Sequence, residues 1–104
     1  MTMTDHSETI AKLQDKTLII VDDDKPFLSR LGRAMETRGF EVIIADTVTE
    51  GIAHVKKSPP AFAVVDMRLE DGNGLDVIKT LNQARPEARA IVLTGYGNIA
   101  TAVT

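Results

Sequence analysis

The sequence has no cysteine, which excludes disulfides and thiolate sites for a metal or a nucleophile. It also lacks a basic excess. Twelve Lys and Arg stand against 15 Asp and Glu, giving a formal net charge of −3 and a pI near 5.3. A nucleic-acid-binding domain needs a basic surface, and this composition offers none. No apolar run approaches the roughly 20 residues of a membrane-spanning helix. The opening residues, MTMTDHSETI, lack the apolar centre of a signal peptide. With 104 residues, 43% hydrophobic and 26% charged, the chain suits one small soluble domain around a single core, with the cytoplasm as its expected location.

Short apolar runs alternate with helical patterns. Residues 1–16 are polar and read as a tail, with some helix expected near Glu8–Gln14. Leu18–Val21 is a continuous apolar run, as expected of a strand buried on both faces. Phe27, Leu28, Leu31, Ala34 and Met35 recur at helical spacing, with Pro26 in the first turn and Gly39 as a stop. Val42–Ala45 is a second strand. Thr47 or Thr49 is the expected cap of a helix carrying Ile52, Ala53 and Val55, ending at Ser58-Pro59-Pro60. Ala61–Val65 is a third strand, running into Asp66. Asp71-Gly72-Asn73-Gly74 is turn chemistry. Leu75, Val77, Ile78 and Leu81 mark a helix closed near Pro86. Ala90–Leu93 is a fourth strand, and a further helix is expected to start at Asn98. This β-α repeat predicts a doubly wound α/β fold, with a parallel sheet and helices on both faces.

Sites in such sheets form outside the carboxyl ends of the strands. There the sequence places Asp22, Asp23 and Asp24 after strand one, Asp66 after strand three and Thr94 after strand four. One Asp after a strand is most often a cap or turn residue. The set together points to chemistry. Clustered carboxylates raise one another's pKa unless a cation intervenes. A hard divalent ion such as Mg²⁺, which binds through one or two carboxylates and keeps several waters, removes that cost. Asp66 is then a candidate nucleophile, since carboxylates form aspartyl-phosphate intermediates. Thr94 is a candidate hydrogen-bond donor to a phosphoryl oxygen.

The residues VDDD (21–24), VVDMRLEDGNG (64–74) and VLTGYGN (92–98) resemble the receiver domain of two-component response regulators, over about Thr17 to the last residue. DMRLEDGNGLDVI with TGYGNIATAV is most similar to redox-responsive global regulators that carry a Fis-type helix-turn-helix. The resemblance implies a CheY/flavodoxin-like sheet of strand order 2-1-3-4. It implies that Asp66 accepts phosphate from a sensor histidine kinase. It further implies that Asp23, Asp66 and the backbone carbonyl of Arg68 ligate Mg²⁺, with Asp22 acting through water. Thr94 would contact the phosphoryl group and switch with it, Gly95 leaving room beside it. Asp24 is expected to start a helix rather than bind metal, and Gly74 to form the turn into the third helix. Arg68 and Tyr96, each two residues past a site residue, are candidates for modulating the lifetime of the phosphorylated form, or else plain loop residues. His6 and His54 are expected at the surface, and Met35 and Met67 in packing roles.

The sequence departs from the family pattern twice. Glu70 stands where many receivers have Pro, which predicts a more flexible Asp71–Gly74 loop. No Lys follows Lys79 and no Pro follows Pro86, so the family's fifth strand with its Lys-Pro pair and its fifth helix are not in this sequence. The expectation is a polar tail over 1–16 and a C-terminally truncated receiver over 17–104. Its fourth strand would have an open edge that promotes self-association. DNA would be contacted only through a further domain of a parent protein. Two alternatives stay open: a phosphatase or phosphotransferase using an aspartyl intermediate, and a phosphorylation-incompetent interaction module. Against the first, position 68, two residues beyond the nucleophile, is Arg where a haloacid-dehalogenase-like site needs an acid.

Overall fold

The computed structural model describes residues 13–93 and the backbone of residues 99–103. The four apolar runs become β1 (Thr17–Val21), β2 (Glu41–Ala45), β3 (Phe62–Asp66) and β6 (Arg89–Leu93). Their ends lie within one residue of the expected ones. The helices are α1 (Lys25–Thr37), α2 (Val48–Lys57) and α3 (Leu75–Ala84). A two-residue hairpin, β4 (Arg68–Leu69) and β5 (Gly72–Asn73), follows β3. The long strands pair in parallel in the order β2-β1-β3-β6, matching the expected 2-1-3-4. Leu13 and Gln14 are not helical, and the rest of the helix expected near residues 8–14 lies outside the described residues.

Period-two alternation divides the core. Ile19 and Val21 of β1 face one side, with Val48, Val55, Val65, Val77, Ile78, Leu81 and Val92. Leu18 and Ile20 face the other, packed against Leu28, Leu31 and Met35 of α1 and against Phe40, Phe62 and Val64. Phe40 meets Phe62 edge to face at 5.7 Å between ring centres. Met35 and Met67 pack on these clusters, as expected. Ala53 and Leu75 do not join the core: both are exposed, because the buried stripes of their short helices centre on Val55 and on Val77, Ile78 and Leu81.

The helix boundaries have local causes. Asp24 caps α1 by accepting the Phe27 amide at 3.1 Å, with Pro26 in the first turn. Gly39, at φ +107°, supplies the left-handed residue after α1 that other side chains rarely adopt. Thr47, rather than Thr49, caps α2 by accepting the Glu50 amide at 3.0 Å.

One expected element is different. The helix expected from Asn98 is replaced over Ile99–Val103 by β7, antiparallel to β6 in the register Ala90↔Val103, Ile91↔Ala102 and Val92↔Thr101. Ile99, Thr101 and Val103 are β-branched and alternate with alanines, a period-two pattern that suits a strand. The outer edge of β6 presents backbone donors and acceptors in need of partners. The edge of β6, expected to be open, is therefore covered, and β7 is the outermost strand.

Candidate functional site

The sheet register builds the site. Val21 lies opposite Val65, so the next residues, Asp22 and Asp66, leave β1 and β3 side by side. Both are largely buried, at 6% and 8% exposure, while Asp23 is exposed. Carboxylate oxygens of Asp22, Asp23 and Asp66 lie within 4.8 Å of one another. Backbone amides hold two of them in place. Asp24 N–H donates to Asp22 Oδ1 at 2.9 Å, and Arg68 N–H donates to Asp66 Oδ1 at 3.3 Å. Asp24 itself faces the start of α1 and is exposed, the helix-starting role read from the sequence.

Burial pushes the Asp22 carboxyl above its ordinary pKa, and the charges of Asp66, Asp23 and Asp24 push the same way, opposed by the Asp24 amide. Burial also raises Asp66, with the charge of Asp23 adding to it and the Arg68 and Met67 amides opposing it. Three acids of one sign, two of them buried, are costly as a set. An all-oxygen donor group of this kind matches a hard divalent cation such as Mg²⁺. Asp22, Asp23 and Asp66 would hold it.

The loop after Asp66 is tied at its root and at its tip. Met67 N–H donates to Leu93 O at 2.9 Å, and Gly74 N–H donates to Met67 O at 2.9 Å. Gly74 is pressed onto the end of β3. A Cβ there would overlap the Asp66 carbonyl and sit 2.7 Å from Val65 Cγ1. Glycine is needed for space rather than for backbone angle, since its φ is −59°. At the loop tip, Asp71 accepts from Val48 N–H (2.8 Å), Thr49 N–H (3.1 Å) and Thr49 Oγ1 (2.9 Å). The loosening expected from Glu70 is thus countered by three hydrogen bonds at the neighbouring residue.

Of the residues singled out in the sequence, Asp22, Asp23 and Asp66 come together and Asp24 stays beside them. Arg68 is exposed; its amide donates to Asp66 Oδ1, and its charge also favours the ionised Asp66. Thr94, Gly95, Tyr96 and His6 lie outside the described residues. His54 is half-buried on α2, more enclosed than expected. Sequence reading missed the reach of Asp71, which it treated as a turn residue. Its partners are 22 and 23 positions away, and nothing local signals them. It also missed Asp46, which approaches Lys25 Nζ at 3.6 Å beside the acidic edge.

Comparison with known proteins agrees with this geometry. The response regulator receiver domain model matches residues 18–104. The photosynthetic apparatus regulatory protein RegA of Rhodobacter capsulatus is 60% identical over 97 residues, covering 92% of this chain and 53% of the relative. The acid tolerance regulatory protein ActR of Rhizobium meliloti is 64% identical over 89 residues, covering 86% of this chain and 46% of the relative. This chain therefore spans about half the length of the curated relatives it matches. Among solved structures, a response regulator of Burkholderia pseudomallei with a phosphorylated aspartic acid, calcium ion and citrate superposes with a TM-score of 0.73 at 35% identity, over 79% of this chain and 48% of that one. A CheY-like receiver domain protein of Methanospirillum hungatei gives 0.74 at 33% identity, over 82% and 68%. No helix among the described residues is long and apolar enough to cross a membrane. The chain belongs to the response regulator receiver domain family of two-component systems.

Proposed function

We propose that Asp66 is the phosphoacceptor of this receiver. The observation that carries the reading is the convergence of Asp22, Asp23 and Asp66 within 4.8 Å at the carboxyl edge of a parallel sheet. In the reaction, an Asp66 carboxylate oxygen attacks the phosphorus of a histidine kinase's phosphohistidine. The new O–P bond forms as the N–P bond breaks, and the imidazole leaves. Asp23, Asp66 and the Arg68 carbonyl would hold Mg²⁺, with Asp22 acting through water. When bound, the ion would offset the negative charge of the carboxylates and of the phosphoryl oxygens. The Arg68 amide orients the Asp66 carboxylate, and the Thr94 hydroxyl donates to a phosphoryl oxygen. Arg68 and Tyr96 modulate water's access to the acyl phosphate. Residues 17–104 form the receiver unit and 1–16 precede it. The Asp66 state controls a transcription-regulating output in the parent protein, a reading supported by relatives that are regulatory proteins and by the half-length match to them.

The test is intact mass after incubation with acetyl phosphate and Mg²⁺. The wild type should gain one phosphoryl group, and Asp66→Asn none. Label on both proteins, or on neither, overturns the assignment.

A further inference from the structure

We propose that Asp71 is a positioning residue for the metal and phosphoacceptor site, acting by clamping the 67–74 loop to the start of α2. The inference rests on the functional reading above. The loop is a short hairpin. Its root is fixed by Gly74 N–H to Met67 O, and Leu69, beyond Arg68, packs into the core. The tie at the base does not by itself set the angle of the hairpin, which depends on contacts further along it. Its tip is fixed by Asp71, which binds two amides of the first turn of α2 and the Thr49 hydroxyl. Gly72 fits the same contact. Its φ of +152° suits glycine, and a Cβ there would already touch Val48 Cγ2 at 3.6 Å. Between root and tip lies Arg68, whose amide holds Asp66 Oδ1.

Tilting the hairpin therefore moves the group that orients the nucleophilic carboxylate. The carboxylate of Asp71 is also matched to its place, since the exposed amides at a helix start favour an anion. Thr47 caps the same helix through the Glu50 amide, so Asp71 takes the donors that Thr47 leaves. The start of α2 is thereby coupled to a site whose ligands lie on β1 and β3.

Titration calorimetry with MgCl₂, run well below each variant's melting temperature, tests this. Asp71→Ala should raise the Mg²⁺ dissociation constant about tenfold, the effect typical of losing a residue that orients a ligand. Asp71→Asn, which keeps one acceptor oxygen, should fall between it and wild type, and Thr49→Val should cost about twofold. Without metal, amide hydrogen exchange at Arg68 should accelerate in Asp71→Ala while the β1 and β3 amides exchange as in wild type. An unchanged Mg²⁺ affinity in Asp71→Ala overturns the proposal and leaves Asp71 a structural tie. If Asp71→Ala does not fold, unchanged affinity in both Asp71→Asn and Thr49→Val overturns it. Failure of the wild type to bind Mg²⁺ overturns the metal reading instead, and the metal-free exchange at Arg68 then decides whether Asp71 positions the loop.

Discussion

The two ends of the parallel sheet treat acidic groups in opposite ways. At the carboxyl end, Asp22, Asp23 and Asp66 crowd together and burial raises two of them. At the amino end, Asp15 Oδ1 accepts from the Thr17 amide at 2.9 Å and the Thr17 hydroxyl at 2.6 Å, and Arg85 reaches Oδ2 at 2.7 Å. These partners, the Thr17 hydroxyl foremost, hold the Asp15 carboxyl down at about 2. Arg85 also donates to Pro59 O at 3.1 Å and to Glu87 Oε2 at 3.0 Å, joining the segments before β1, β3 and β6. One end fastens the strands. The other holds like charges together, the arrangement from which the proposed metal and phosphoacceptor roles are argued.

The largest expected effect comes from breaking the carboxyl end sterically. Gly74→Ala forces a methyl group into the Asp66 carbonyl and Val65, where the close neighbours include rigid backbone. It should cost about 3 kcal/mol, the upper range for overpacking, read as a lowered midpoint in urea. At the amino end, Arg85→Ala removes bonds to three partners from a side chain 24% exposed. Allowing for screening, the loss should be about 1.5 kcal/mol at pH 7. No measurable loss in Arg85→Ala would refute the view that the amino end fastens the strands.

This contrast was half legible in the sequence. Asp22, Asp23 and Asp66 could be found because strand ends and a βα repeat fix where they must meet. The order of the four parallel strands came from the family resemblance, since a βα repeat alone does not fix it. Asp15 and Arg85 could not be found, since a pairing across 70 positions follows from tertiary packing and leaves no local pattern. Asp71 was hidden for the same reason. Residues 99–103 were misread because a stretch alternating alanine with β-branched residues fits either helix or strand, and only the neighbouring edge of β6 decides between them.

Mg²⁺ should act on one end alone. At about ten times its dissociation constant it should stabilise the wild type by about 1.4 kcal/mol, seen as a higher melting temperature. Asp66→Asn should abolish most of that gain, whereas Arg85→Ala should keep it. Loss of the gain in Arg85→Ala would mean that the two ends are coupled.

The smallest effect is the most discriminating, because its sign differs between the ends. The folded-state pKa of Asp66 is raised, so its ionisation disfavours the folded chain, and that penalty grows as pH rises from the ordinary carboxylate range through the raised value. Removing the charge while leaving an acceptor for the Arg68 amide should therefore make metal-free Asp66→Asn more stable than wild type at pH 7. The gain should appear as a urea midpoint above that of wild type. Asp15 behaves oppositely. Its depressed pKa contributes stability that is complete above about 4 and lost as pH falls toward 2. With its side chain 35% exposed, that contribution is on the order of 1 kcal/mol. Metal-free wild type should thus gain stability as pH falls from 7 toward the carboxylate range and then lose it in acid. Asp66→Asn should flatten the upper limb only, and Arg85→Ala should shrink the acid limb only. Urea midpoints measured from pH 2 to pH 7 would show both. If Asp66→Asn instead lowers stability at pH 7 without metal, the carboxyl end is not the strained end, and the contrast between the two edges fails.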